Sequence, residues 1–178
     1  MILAFTGHRP DKLGGYGPSP VQSWVRGKIS HFLKYGGFTE VISGMALGVD
    51  QWAAEEAMLL NIPVHAAVPF TGQESQWPEQ SQQHYRELLS KCAKTTTVCA
   101  GGYTRKKMQV RNEWMVDHSD MLCAIWDGTS GGTANCFRYA ESVDAVVYRI
   151  DPNKFVKVRL HGYGANGSPV HDPTKHEH

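Results

Sequence analysis

Two glycine-rich turns are the stretches of this chain most able to hold an anion. The first is Ser43-Gly44-Met45-Ala46-Leu47-Gly48-Val49-Asp50, and the second is Asp127-Gly128-Thr129-Ser130-Gly131-Gly132-Thr133. Each follows a short apolar run and precedes a segment with helical spacing. Glycine lets a ligand approach where a Cβ would clash, and a helix N-terminus presents unpaired N–H groups. The two turns therefore predict phosphate-binding sites.

The first turn offers a hydroxyl, backbone N–H groups and one acid. We expect Ser43 and Gly44 to contact a phosphate and Met45 to contact the ligand. Asp50 follows the glycines by about one helical turn, and two interpretations of it stay open. Its carboxylate accepts either from a ribose hydroxyl or from a neighbouring loop while it caps the helix. A carboxylate would repel a phosphate, so a direct phosphate contact is the less favoured role.

The second turn opens a helix with two glycines and a hydroxyl. Gly131, Gly132 and Thr133 suit a phosphate, and Asp127 closes the preceding strand where it could contact a ribose. The alternative is a flexible loop that needs glycine only for turning. Neither turn is the G-x-G-x-x-G of nicotinamide enzymes or the G-x-x-x-x-G-K-[ST] of a P-loop.

Further candidates stand at other predicted strand ends. In Gly7-His8-Arg9, the arginine could fork onto a phosphate and the histidine could bind a ribose or carry a proton. Pro69 and Phe70 end the third strand, and Arg111-Asn112 lies in a later predicted helix. A basic cluster just before Arg111 could guide an anion or be a solvated face: Arg105, Lys106 and Lys107.

Composition narrows the class of protein. The chain has 178 residues and a formal net charge of +1, so one domain is expected and there is no basic field typical of nucleic-acid binders. The four cysteines contain no C-x-x-C pair, which favours reduced thiols in a cytoplasmic protein. No apolar run approaches a membrane span. We expect no metal, no cofactor, no membrane and no nucleic-acid partner.

Strands and helices are predicted to alternate along the chain. Apolar runs predict six strands, and segments with helical spacing separate them: strands 1–6, 38–43, 64–68, 95–99, 121–126 and 145–150, with helices 19–35, 51–60, 84–93, 104–118 and 133–142. Alternation of this kind implies a three-layer α/β, Rossmann-like fold with a mostly parallel sheet of about six strands. Ligands bind at the carboxyl edge of such sheets. We expect one domain over residues 1–150 and a polar extension, 151–178, with a short strand at 155–160.

The chain resembles the SLOG superfamily, which joins DNA-processing protein A (Smf) with the LOG-type nucleotide phosphoribohydrolases. The resemblance rests on Thr6-Gly7-His8-Arg9-Pro10, on Val68-Pro69-Phe70 and on the two glycine-rich turns, and it is closest to the YpsA-like branch. It implies a Rossmann-like domain and a pocket for a nucleotide-derived ligand. Relatives that pair through helices also make a homo-oligomer an expectation.

One departure from the family pattern bears on chemistry. The phosphoribohydrolases carry P-G-G-x-G-T-x-x-E, whereas here no carboxylate follows Thr133 until Glu141. We therefore favour a binding or sensor protein that holds a nucleotide-derived ligand. One alternative is a hydrolase of its N-glycosidic or phosphate bond, with Asp50 or Asp127 as the carboxylate and His8 as proton carrier. The other alternative is a DNA-processing or recombination accessory protein.

Overall fold

Strands and helices alternate throughout residues 1–155, which are the residues that the computed structural model describes. The strands are β1 (Ile2–Gly7), β2 (Glu40–Ser43), β3 (Val64–Val68), β4 (Lys94–Thr97), β5 (Met121–Ile125) and β6 (Val147–Ile150). The helices are α1 (Pro20–Tyr35), α2 (Val49–Leu59), α3 (Glu79–Ser90), α4 (Arg105–Asp117) and α5 (Gly132–Ser142), and a short 3-10 turn covers Pro10–Lys12.

The strands form one six-stranded sheet in the order β4-β3-β2-β1-β5-β6, and all neighbours are parallel. The predicted Rossmann-like α/β fold is confirmed. After β1 the chain moves outward to β2, whereas β5 lies on the other side of β1. Strand order therefore reverses between β1 and β5, and a crevice opens beyond their carboxyl ends.

Helices cover both faces of the sheet, which gives the three layers. Alternate residues of β1 point to opposite faces: Leu3 and Phe5 pack with α1, α2 and α3, and Ala4 packs with α4 and α5. The central strands β3, β2, β1 and β5 are thus buried on both sides, as a parallel sheet requires, whereas the edge strands β4 and β6 are more exposed.

Most element ends agree with the sequence signals. Ser19 caps α1 by accepting a 3.1 Å hydrogen bond from the Gln22 N–H, and the helix ends at Gly36. The exception is α3, which begins at Glu79 rather than at residue 84. Its first turn is polar and exposed, so it has no apolar periodicity, while Tyr85 and Leu88 anchor the helix to the core further along.

The C-terminal extension lies almost entirely outside the described residues, as does the strand predicted at 155–160. Only Phe155 of that strand is described. Its N–H donates to the Pro152 carbonyl at 3.2 Å, within a helical turn. Within residues 1–155, none of the helices combines the length and apolar character needed to cross a membrane.

Candidate functional site

A cavity of about 350 Å³ opens at the strand-order reversal, beyond β1 and β5. The loop after β1, the turn after β2, the start of α5 and one face of α4 enclose it. Nine residues that the sequence singled out line it: Gly7, His8, Arg9, Asp50, Arg111, Asn112, Gly131, Gly132 and Thr133.

The N-terminus of α5 is open to this cavity. Its N-cap residue, Gly131, has φ 145° and no side chain that could accept from the first-turn N–H groups. A Cβ added to Gly132 would meet no atom within 4 Å, so the turn faces free space. Asn112 supports the turn from behind by donating a 3.4 Å hydrogen bond to the Gly132 carbonyl. The result is an uncapped helix end that can receive an anion.

His8 and Asp127 join the two central strands across the crevice. The His8 Nε2 lies 2.7 Å from Asp127 Oδ1 and 3.1 Å from the Asp127 backbone nitrogen. It donates to the carboxylate in the tautomer that carries the proton on Nε2 and accepts from the Asp127 N–H in the other. The same Oδ1 accepts from the Thr129 N–H at 2.8 Å and the Thr129 hydroxyl at 2.7 Å. Desolvation raises the pKa of Asp127, but the hydrogen bonds from Thr129 and His8 outweigh it and bring the pKa to about 2.

Two cationic side chains come from the loop after β1. Lys12 Nζ donates to the Thr129 hydroxyl at 2.6 Å and so ties this loop to the one after β5. Arg9 is exposed, and its guanidinium makes no hydrogen bond to any other described residue. Arg9 is therefore free to bind a ligand anion.

A buried ion pair forms the floor of the cavity. Arg111 and Asp50 are only 4% and 6% exposed, and Arg111 Nη1 lies 3.6 Å from Asp50 Oδ2. Arg111 also donates to the Gly44 carbonyl and, through Nε, to Asn112 Oδ1 at 3.0 Å. Burial raises the pKa of Asp50, against the effect of Arg111, and burial lowers the pKa of Arg111. Both groups thus carry a desolvation cost that their pairing only partly offsets.

The first glycine-rich turn packs behind the cavity rather than lining it with its leading residues. The Ser43 hydroxyl is fully buried, donates to the Asp50 carbonyl at 2.7 Å and accepts from the Met45 N–H at 3.1 Å. A Cβ on Gly44 would overlap the Arg111 guanidinium. Ser43, Gly44 and Met45 are therefore not brought to the cavity, whereas Asp50 is.

A recess of about 250 Å³ adjoins the cavity on the β3 side. Phe70 lines it, but Pro69 is buried and lines neither space; its carbonyl accepts from the Cys99 N–H at 3.1 Å. Several residues that line the main cavity are not among the candidates predicted from the sequence: Lys12, Tyr103, Met108, Thr129 and Ser130. The last two lie within the second turn and could have been found by its spacing, whereas Lys12 lies in a loop with no such signal.

The family model described as the YspA SLOG family matches residues 3–152. The chain belongs to this family. Within residues 1–155, no three His, Cys, Asp or Glu side chains gather as a metal site would require. The site of this SLOG protein consists of the glycine turn at the start of α5, the cations Arg9 and Lys12, and the buried Arg111–Asp50 ion pair.

Similar proteins agree with this assignment. An uncharacterised SPbeta prophage-derived protein, YoqJ of Bacillus subtilis, is 33% identical over 116 residues, which are 56% of this chain and 68% of that protein. DNA processing protein A from Helicobacter pylori, whose structure is described for its single-stranded DNA binding mode, has TM-score 0.61 at 16% identity over 90% of this chain and 73% of its own. The molybdenum cofactor carrier protein from Chlamydomonas reinhardtii has TM-score 0.54 at 14% identity, over 88% of this chain and 82% of its own.

These comparisons bear on one expectation, that nucleic acid is not a partner. At such identities the solved structures show a shared fold alone. Because one of them binds single-stranded DNA, the comparisons give no support to our expectation that nucleic acid is not a partner.

Glu141, the first carboxylate after Thr133, is exposed on α5 and does not line the cavity.

Proposed function

We propose that this SLOG protein binds a phosphorylated, nucleotide-derived ligand, with a phosphate against the N-terminus of α5. The open side of Gly132 is the observation that carries the proposal, because free space there lets an anion reach the first-turn N–H groups. Thr133 adds a hydroxyl to the same turn.

The charged side chains around the cavity support the same position for the phosphate. Arg9 and Lys12 lie on the rim, and the Arg111 guanidinium lies below. Asp50 also lines the cavity, but its carboxylate is paired with Arg111 and so repels an anion less than a free acid would. We assign His8 and Asp50 to the sugar of the ligand. Asp127 holds the His8 ring through the 2.7 Å hydrogen bond and acts as a positioning residue.

Binding without turnover is the favoured form of the proposal. A general base works best with a pKa near the working pH, and the pKa of Asp127 is about 2. The hydrolytic glutamate of the LOG-type phosphoribohydrolases has no counterpart one turn past Thr133. These two observations support a sensor or carrier of the ligand.

A hydrolase is the second candidate, and one observation favours it. Asp50 is a buried carboxyl group that lines the cavity and has a raised pKa, which is common among catalytic acids. Incubation with a nucleotide panel and chromatography for released base or phosphate tests this. Release that disappears in Asp50→Asn would make the protein an enzyme.

Native mass spectrometry of the purified protein tests the proposed binding. We expect a bound mass that denaturation releases as a phosphorylated nucleotide derivative. If no bound mass is seen, thermal shifts with adenine and guanine nucleotides provide the second measurement. No shift with any nucleotide, together with a salt-dependent mobility shift of single-stranded DNA, would replace the proposal with the DNA accessory function.

A further inference from the structure

We infer that the recess beside the main cavity binds a flat aromatic ring, the nucleobase of the ligand, so that the ligand is a nucleoside phosphate with its base on the β3 side. This inference rests on the proposed function, since it places the other end of the same ligand. Three residues carry the argument about the recess itself: Phe70, Trp77 and Tyr103.

The recess is continuous with the main cavity. Arg9, Tyr103 and Met108 line both spaces. At about 250 Å³ the recess lies below the range of about 300–1,000 Å³ usual for a separate ligand site. It is therefore better explained as an extension of the main cavity, which reaches away from the α5 N-terminus.

The chemistry of the recess differs from that of the main cavity. Phe70, Trp77 and Tyr103 give it three aromatic rings, and Met108 adds a polarizable thioether. Phe70 and Tyr103 meet edge to face, with ring centroids 6.0 Å apart and an interplanar angle of 77°. Trp77 is fixed by a similar edge contact with Tyr85 at 5.4 Å. Such rings attract the face of a planar heterocycle and give little to a phosphate.

Polar groups on the recess suit the edge of a base. Ser75 and Gln76 are exposed and line it. Gln73 is buried, and its Nε2 donates to the Gly44 carbonyl at 3.3 Å, so its side chain is held in place. A hydroxyl and an amide can pair with the donors and acceptors of a heterocycle.

Arg9 stands between the two spaces. It lines both, and its guanidinium makes no hydrogen bond to the other described residues. A guanidinium can fork onto a phosphate or stack on a ring. In this position it contacts the linkage between the phosphate and the base.

Titration calorimetry separates the base from the phosphate. The probes are inorganic pyrophosphate, which has no base, and the four ribonucleoside diphosphates ADP, GDP, CDP and UDP. We expect at least one nucleoside diphosphate to bind about tenfold more tightly than pyrophosphate, since stacking on an aromatic side chain contributes on that order. Equal affinities for all five probes would overturn the inference and leave the proposed phosphate site standing.

A matched pair of variants tests whether the preference for a nucleoside diphosphate over pyrophosphate comes from the recess. Tyr103 and Tyr35 are both 68% exposed, and Tyr35 ends α1, away from the recess. Because Tyr103 lines both spaces, Tyr103→Ala should weaken binding of the nucleoside diphosphate more than binding of pyrophosphate and so remove most of the preference, whereas Tyr35→Ala should change neither affinity. Tyr103→Phe should retain the preference. An equal loss of affinity for both probes in Tyr103→Ala would count against a base subsite.

Two other outcomes have distinct meanings. If neither pyrophosphate nor any nucleoside diphosphate binds the wild-type protein, the proposed function fails and the inference with it. If an oligothymidine binds more tightly than every nucleoside diphosphate, and Tyr103→Ala weakens it, the recess is part of a single-strand path rather than a mononucleotide site. That result would also overturn the inference.

Discussion

The guanidinium of Arg111 occupies the space that a side chain on Gly44 would need. Its Nη1 donates to the Gly44 carbonyl and lies 3.6 Å from the Asp50 carboxylate. The two residues are 67 positions apart in the chain. Glycine is thus required at position 44 because it leaves room for the buried Arg111 guanidinium, and that guanidinium forms the floor of the cavity.

Gly44→Ala should destabilise the protein by about 1–3 kcal/mol, because the added methyl group overlaps the buried guanidinium and would lie 2.7 Å from Asp50 Oδ2. Urea unfolding measures this. Gly17→Ala is the control, because a Cβ there meets nothing within 4 Å. Equal unfolding midpoints for the two variants would show that Arg111 moves aside without cost.

Removing both members of the buried ion pair should cost less than the two single losses added together. Asp50→Asn leaves the Arg111 charge without its partner, and the expected loss is about 3–5 kcal/mol in the free energy of unfolding. The double variant Asp50→Asn/Arg111→Met should lose less than the sum of the single variants. Additive losses in this cycle would mean that the two charges do not interact.

Asp127 should give the protein a stability that depends on pH. Its pKa falls from the ordinary 3.8 to about 2 in the folded state. The stabilisation is therefore fully present at a pH above the pKa of Asp127 in the unfolded state, and it is lost as the pH falls from about 4 towards 2.

Asp127→Asn tests this by urea unfolding. At pH 7 the variant should be less stable than wild type by roughly 1 kcal/mol, since hydrogen bonds from His8 and Thr129 to a charge are lost. The difference should narrow between pH 4 and pH 2.5. A difference that stays constant over this range would contradict the assignment of an ionised, hydrogen-bonded carboxylate.

Gly132→Asp should abolish binding of a phosphorylated ligand and leave the fold intact. The substitution puts a negative charge and bulk into the space that the phosphate would take, and its Cβ meets no atom within 4 Å. An acid in the first turn of a helix is also compatible with α5. Calorimetry with a nucleoside diphosphate measures the affinity.

Gly27→Asp is the matched control for this variant. Gly27 is also helical and exposed, a Cβ there meets no atom within 4 Å, and it lies on α1 outside the cavity. The Gly27→Asp variant should bind the nucleoside diphosphate with the affinity of the wild-type protein. Wild-type affinity in Gly132→Asp would show that the phosphate lies elsewhere.

The sheet could be predicted from the sequence because its signals are local. Apolar runs such as Leu3 to Phe5 are buried on both faces, and the glycines and helical spacing that follow them fix the order of the elements. The start of α3 could not be predicted, because its first turn makes no apolar contact that would leave a pattern.

The site could be predicted only in part. The sequence shows which residues are glycines but not what fills the space beside each one. At Gly132 that space is the cavity, whereas at Gly44 it holds a side chain from α4. Asp127 likewise could be placed at its strand end, but its hydrogen bond to His8 spans 119 positions and depends on the order of β1 and β5 in the sheet.

The most direct test of the central claim is two-dimensional ¹H–¹⁵N NMR of the full chain titrated with the tightest-binding nucleoside diphosphate. An anion on the N-terminus of α5 accepts from the first-turn N–H groups. We expect the amide signals of Gly131, Gly132 and Thr133 to shift most, and those of Ser43, Gly44 and Met45 to shift much less. Large shifts elsewhere with these three α5 signals unmoved would contradict it.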